Sequence, residues 1–324
     1  MEEIESAKLI EIYTIMVRMR TFEEGVAKEY RKGNIPGFVL PSIGQEAISA
    51  GVCALLREDD YVFSTHRCLG DVIARGARFD KAMAEILGKE TGYNKGKAGV
   101  KHLAAIDLNC FGATGVVGDF IPVACGAALG CKMQKRDTVV VSFFGDGATC
   151  TGAFHEAVGH AAIWDLPVIL VCANNQFCAS TPVKDYTKLK DLSDRAKAYG
   201  IPGVTVDGMD ALAVAKVARK AIERARDGRG PTLIVGETYH FLGFNLSEDG
   251  WSYRTKEEVE KWKKRDAIER LRGQLLQEKI LTESEINEIH TATIREVDEA
   301  VRFAIESPEP RIEVALEDIR YTAG

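Results

Sequence analysis

The chain has 324 residues, 46% hydrophobic and 28% charged, with a formal net charge of −6. That balance excludes the basic footprint of a nucleic-acid binder, and no apolar run approaches the roughly 20 residues of a membrane span. The start, MEEIESAKLIEIY, is acidic and amphipathic, unlike a signal or transit peptide, so a cytoplasmic location is expected. Eight cysteines lie along the chain without a CxxC pair, several in apolar runs, and read as buried free thiols rather than a zinc site.

Helical periodicity runs from about residue 5 to 32 and stops at Gly33 and Pro36. Gly37–Gly44 reads as a loop, Gln45–Leu56 as a helix and Asp60–Thr65 as a short strand. Gly88–Gly118 is a glycine-rich connector carrying the basic patch GYNKGKAGVK, followed by a helix over about 118–133. Thr138–Phe144 is an apolar run that leads into Gly145-Asp146-Gly147, then a helical pattern, then a second apolar run, Leu166–Ala173, ending at Asn174-Asn175. Cys178–Asp194 reads as polar loop. A strand at Val204–Val206, a helix at Asp210–Arg226 and a strand at Thr232–Glu237 continue the alternation. Thr238–Thr255 reads as a long loop, of the length that tends to be functional. The remainder is charged and helical.

The pattern predicts an α/β fold: a doubly wound, mostly parallel sheet with a helical C-terminal region. One domain over 1–324 is expected, with an N-terminal helical arm at about 1–35 and a helical tail at about 255–324. The informative unit is GDGATCTGAFHEAVGHAAIWDLPVILVCANN at 145–175. It places polar residues at the C-terminal ends of two strands, the edge where open α/β sheets bind ligands. An Asp carboxylate and an Asn amide oxygen suit a hard cation such as Mg²⁺ shared with phosphates. The glycines let backbone N–H groups approach a diphosphate at a helix N-terminus.

These words, with PGF at 36–38, GQEA at 44–47, STHR at 64–67, GATGVVG at 112–118, FHEA at 154–157, AAIWDLP at 161–167 and SYRTKEE at 252–258, span nearly the whole chain. Together they resemble the α subunit of the thiamine-diphosphate-dependent E1 component of 2-oxo acid dehydrogenases. FHEA and STHR look nearest the acetoin type. The resemblance implies the thiamine-diphosphate-binding fold, and thiamine diphosphate with Mg²⁺ as cofactors. It implies Asp146, Asn175 and the Phe177 carbonyl as metal ligands, with Gly145, Gly147 and Ala148 at the diphosphate. Arg67 would contact a phosphate oxygen, His66 would stand beside the cofactor as the catalytic candidate, and Gly115 and Val117 would bond the aminopyrimidine through their backbones. His240 stands where the family has a phosphate-contacting Arg. The glutamate needed at the pyrimidine would come from a β subunit, so the resemblance implies an α2β2 heterotetramer, with a lipoyl-bearing E2 acyltransferase as a further partner.

Four family histidines are replaced by Leu40, Leu69, Leu242 and Phe244, and the family's regulatory serine by Asn245, while Ser247 and Ser252 remain in the loop. The exchanges predict a more apolar pocket and weaken the case for lipoyl transfer, since histidine best moves protons near neutral pH. Three readings follow. They are oxidative decarboxylation of a 2-oxo acid or cleavage of acetoin with acyl transfer, a C–C lyase or carboligase for an apolar substrate without lipoyl transfer, and a non-catalytic paralogous partner subunit. Of the other histidines, His155 reads as structural, His102 as either structural or approaching the site, and His290 as solvated.

Overall fold

The computed structural model describes residues 4–317; the outermost ends of the expected arm and tail, 1–3 and 318–324, lie outside them. Helix α1 (Ser6–Arg31) is followed by α2 (Glu46–Cys53), strand β1 (Tyr61–Thr65), α3 (Leu69–Ala74) and α4 (Phe79–Ile86). Next come β2 (Cys110–Thr114), α5 (Phe120–Met133), β3 (Val140–Gly145), α6 (Gly152–Ile163) and β4 (Val168–Asn174). A small hairpin, β5 (Phe177–Cys178) with β6 (Thr181–Pro182), leads to the single-turn α7 (Val183–Tyr186). Then β7 (Gly203–Asp207), α8 (Ala211–Arg226) and β8 (Thr232–Glu237) close the sheet, and α9 (Lys256–Lys263), α10 (Ala267–Gln277) and α11 (Glu283–Glu306) form the C-terminal helical region.

Six of these strands form one sheet in the order β2-β1-β3-β4-β8-β7, every neighbour parallel. The central strands are mostly apolar because helices cover both faces. Side chains alternate between the two sides. Val141, Phe143, Ile169, Val171 and Ile234 join the core beneath α1, α2 and α8. Val140, Phe144, Val168, Leu170 and Val235 join the core beneath α5 and α6. The doubly wound α/β reading therefore holds.

The chain leaves β1 toward β2 on one side, then crosses back to place β3 on the other. This reversal opens a crevice at the C-terminal ends of β1 and β3, where ligands bind in such sheets.

Some local readings needed correction. The glycine-rich connector contains β2, a strand hidden by its Gly112 and by short length. The polar stretch after the two asparagines contains the hairpin, α7 and a 3₁₀ segment, Leu192–Tyr199. Residues 238–255 carry no regular element but are packed, with Tyr239, His240 and Arg254 all under 5% exposed. His290 is not simply solvated: its Nε2 pairs with the Tyr13 hydroxyl at 2.9 Å. The cysteines are free thiols and mostly buried, with Cys150 exposed. No helix among the described residues is long and apolar enough to cross a membrane.

Candidate active site

The crevice is a cavity of about 440 Å³. Its wall takes residues from the ends of four adjacent strands: Thr65, His66 and Arg67 after β1, Thr114–Gly118 after β2, Gly145–Ala148 after β3, and Asn175 and Phe177 after β4. Ten of the residues expected from sequence thus share one wall: His66, Arg67, Gly115, Val117, Gly145, Asp146, Gly147, Ala148, Asn175 and Phe177.

Parallel pairing of β3 with β4 sets Gly145 beside Ala173, so the turns carrying Asp146 and Asn175 leave the sheet together. Asp146 is 1% exposed and accepts a hydrogen bond from the Tyr186 hydroxyl. Burial raises the Asp146 carboxyl above its usual range, opposed by the Tyr186 bond and backbone donors. Gln176, between the ligand candidates, has φ +76°, a left-handed backbone uncommon outside glycine. Its side chain is held by Glu237 at 2.8 Å and by the Asn174 carbonyl at 3.1 Å. That anchored turn brings Asn175 and Phe177 onto the same wall. At Gly147 an added Cβ would meet the Cys178 thiol and stand 2.9 Å from its Cβ, so only glycine fits there.

Arg67 is a half-buried cation under a roof of loop. It donates to the carbonyls of Pro41 at 2.6 Å and Phe244 at 3.0 Å, and lies 5.6 Å from the Phe244 ring centroid. Burial brings its guanidinium down to about 10, still charged at neutral pH, with Glu23 as the main opposing influence. His66 is brought down to about 4 by burial and by Arg67, Lys101 and His102, so it is a neutral imidazole at physiological pH.

His240 is not on the cavity wall. It is 1% exposed, its Nδ1 pairs with the Leu242 carbonyl at 2.7 Å, and its ring stacks on Tyr239. Burial holds it well below the ordinary histidine range, so it offers no charge to a phosphate. The expectation that it serves the cofactor is therefore corrected: its own backbone loop claims the ring. The four apolar exchanges also separate. Leu40 and Phe244 line the cavity. Leu69 is 2% exposed in the main core, and Leu242 packs against the cluster of Ile43, Phe177, Met209 and Tyr239. His102 pairs through Nδ1 with the Ala113 carbonyl at 3.1 Å and lies beside Gly115, and His155 pairs with the Tyr199 hydroxyl; neither lines the cavity.

Sequence reasoning missed Gln45, Ser49, Ser64, Asp71 and Lys101 on the wall, and Tyr186 behind Asp146. Gln45 and Ser64 lie inside the GQEA and STHR words, Lys101 in the basic patch and Asp71 inside the apolar run LGDVIA, signals to which no site role was attached.

The profile of the family described as dehydrogenase E1 component matches residues 14–313. The chain belongs to the dehydrogenase E1 component family. It is 42% identical over 313 residues to the acetoin:2,6-dichlorophenolindophenol oxidoreductase α subunit of Bacillus subtilis, covering 96% of this chain and 93% of that one. It is 39% identical to the pyruvate dehydrogenase E1 α subunit of Porphyra purpurea, over 94% of this chain and 90% of the relative. A second acetoin-type α subunit, from Cupriavidus necator, is 36% identical over 98% of this chain and 95% of its own length. E1 α chains of this kind are thiamine-diphosphate-dependent oxidoreductases that work with a β subunit and an E2 component. An enzyme subunit is the reading these likenesses support, and the non-catalytic one is set aside.

The residues fit thiamine diphosphate. A buried carboxylate engaged in no ion pair, a glycine whose Cβ position is filled, and a buried Gln45 amide nitrogen without a hydrogen-bond partner all face one cavity. Among the described residues no cluster of three His, Cys, Asp or Glu side chains could hold a metal, so a cation here would rely on amide, backbone and phosphate oxygens.

Proposed function

We propose that this chain is the α subunit of an α2β2 E1 enzyme, using thiamine diphosphate and Mg²⁺ to oxidise a small 2-oxo acid or an acetoin-type hydroxy ketone. The observation that carries this reading is the convergence of Asp146 and Asn175, from adjacent strand ends, on the cavity that also holds Arg67 and the Gly145–Ala148 turn.

Asp146, the Asn175 amide oxygen and the Phe177 carbonyl would hold Mg²⁺, an all-oxygen set suited to a hard cation. Gly147 and Ala148 would present backbone N–H groups to the diphosphate, and the Arg67 fork would turn from the loop carbonyls toward it. Gly115 and Val117 would position the pyrimidine through their backbones. When bound, the cofactor supplies the electron sink for breaking the bond beside the substrate carbonyl. The neutral His66 would serve as a hydrogen-bond partner to the reacting groups rather than as a resident cation. Leu40, Phe143 and Phe244 keep part of the wall apolar, which excludes water and strengthens the charges that remain. The missing loop histidines leave acyl transfer to lipoamide the weakest step, so reduction of an artificial electron acceptor is the expected primary activity. The whole chain is read as one functional unit acting in the cytoplasm.

The test is calorimetric titration of thiamine diphosphate with Mg²⁺ into the chain co-purified with its β partner. Micromolar or tighter binding, lost in Asp146→Ala, is expected. An intact complex that binds no cofactor would sink the proposal.

A further inference from the structure

The cavity wall carries one polar cluster outside the residues assigned to the cofactor. Ser49 from α2, Ser64 from β1 and Asp71 from the first turn of α3 line the cavity together. They are 7%, 0% and 8% exposed. Ser49 Oγ donates to Asp71 Oδ1 at 2.5 Å, and Ser64 Oγ donates to Oδ2. Burial lifts the carboxyl to about 6 while the two hydroxyls pull it down, and no cation is among the groups acting on it. At neutral pH it is mostly ionised.

Counting donors and acceptors defines what this notch can bind. Both hydroxyl protons are spent on the carboxylate, so the remaining capacity of all three groups is lone pairs. An acceptor-only notch rewards a ligand that brings an O–H. It disfavours a ligand carboxylate, which adds like charge at low dielectric and finds no donor on any of these three groups. The cavity's cations are engaged elsewhere: Arg67 on the Pro41 and Phe244 carbonyls, and Lys101 at 5.0 Å over the Phe38 ring.

We propose that Asp71, held by Ser49 and Ser64, is a specificity-determining residue that selects a small uncharged hydroxy ketone over a 2-oxo acid. This rests on the cavity being the E1 active site. Nothing in the cofactor-binding set requires a carboxylate here, and the notch adds a polar complement to the apolar side chains of Leu40, Phe143 and Phe244. A site built to bond a substrate hydroxyl discriminates strongly, because its buried polar groups are left unpaired by the wrong ligand.

The experiment uses the chain with its co-purified β partner. With a dye acceptor, kcat/KM is measured for acetoin and for pyruvate in the wild type and in Asp71→Asn. Acetoin is expected to be preferred, and the preference to fall by about tenfold or more in the variant, the scale of one charge-assisted hydrogen bond. Thiamine diphosphate affinity should stay within about twofold. Equal loss on both substrates, or an unchanged ratio, overturns the proposal and leaves Asp71 a tie between α2 and α3. Saturation-transfer NMR with two unreactive probes, butane-2,3-diol and lactate, reads the notch without turnover. The diol should bind in preference to lactate, and the preference should disappear in Asp71→Asn. If neither substrate is oxidised but the probes still discriminate, the E1 reading fails and the notch stands. If lactate binds as well as the diol, the notch fails. Should Asp71→Asn not fold, Ser49→Ala is the second variant, with a smaller shift in the same direction expected and no shift overturning the idea.

Discussion

Replacing Glu23 with Gln should change how stability depends on pH. Glu23 lies on α1, 2% exposed, and accepts from Ser42 three times: from its backbone N–H at 3.0 and 2.8 Å and from its hydroxyl at 2.8 Å. Ser42 lines the cavity, so this contact fixes one edge of the site. Burial pushes the carboxyl from an ordinary 4.5 up to about 7, with the Ser42 bonds opposing and the charge of Glu46 adding to the rise. The folded state therefore keeps a proton that the unfolded chain has released between these values. A raised carboxyl lowers stability as pH rises through that window, by about 3 kcal/mol at roughly 1.36 kcal/mol per pK unit. Glutamine carries no such dependence. It keeps an oxygen for Ser42 and loses about one hydrogen bond, near 1 kcal/mol. The variant should be the less stable protein near pH 5. From pH 5 to 8 the gap should move in its favour by about 3 kcal/mol. Urea unfolding followed by tryptophan fluorescence at steps across that range measures it. Parallel stability curves for the two proteins would refute the argument, since they would mean Glu23 titrates normally.

Gly147→Ala should destabilise by about 1–3 kcal/mol through overpacking, because its Cβ would lie 2.9 Å from that of Cys178. Pairing it with Cys178→Gly should recover part of the melting temperature, and no recovery would show the strain lies elsewhere. Arg67→Lys should weaken thiamine diphosphate binding by about tenfold in calorimetry, since an ammonium cannot reproduce the planar fork; unchanged affinity would remove Arg67 from the phosphate site. Arg254 donates to the His240 carbonyl at 2.7 Å and lies within 5.8 Å of the Tyr239, Trp251 and Tyr253 rings. Arg254→Ala should therefore free the 238–255 loop, speeding its cleavage in limited proteolysis by about tenfold, the scale of one lost charged hydrogen bond. An equally resistant loop would show that aromatic packing alone holds it.

The β3–α6–β4 unit was legible in the sequence because all its signals are local. Two apolar runs of strand length frame a helical pattern, and the polar residues that end each strand must lie at the sheet's C-terminal edge. The pattern alone put Asp146 and the Asn174-Asn175 pair at that edge, and the family resemblance singled out Asn175. The strand β2 was not legible, since CFGAT is short, carries a glycine and follows a glycine-rich stretch; its pairing with β1 makes it a strand. The order β2-β1-β3 was likewise decided by tertiary packing, and it alone brings His66 and Arg67 beside the Gly145–Ala148 turn. The sequence showed four apolar residues in place of family histidines but could not say that Leu40 and Phe244 face the cavity while Leu69 and Leu242 face the core. Nor could it show that His240 is claimed by its own loop, or that serines 15 residues apart would converge on one carboxylate. Local propensity and spacing act within a few residues, whereas burial, charge pairing and donor counting depend on neighbours that only the folded chain brings together.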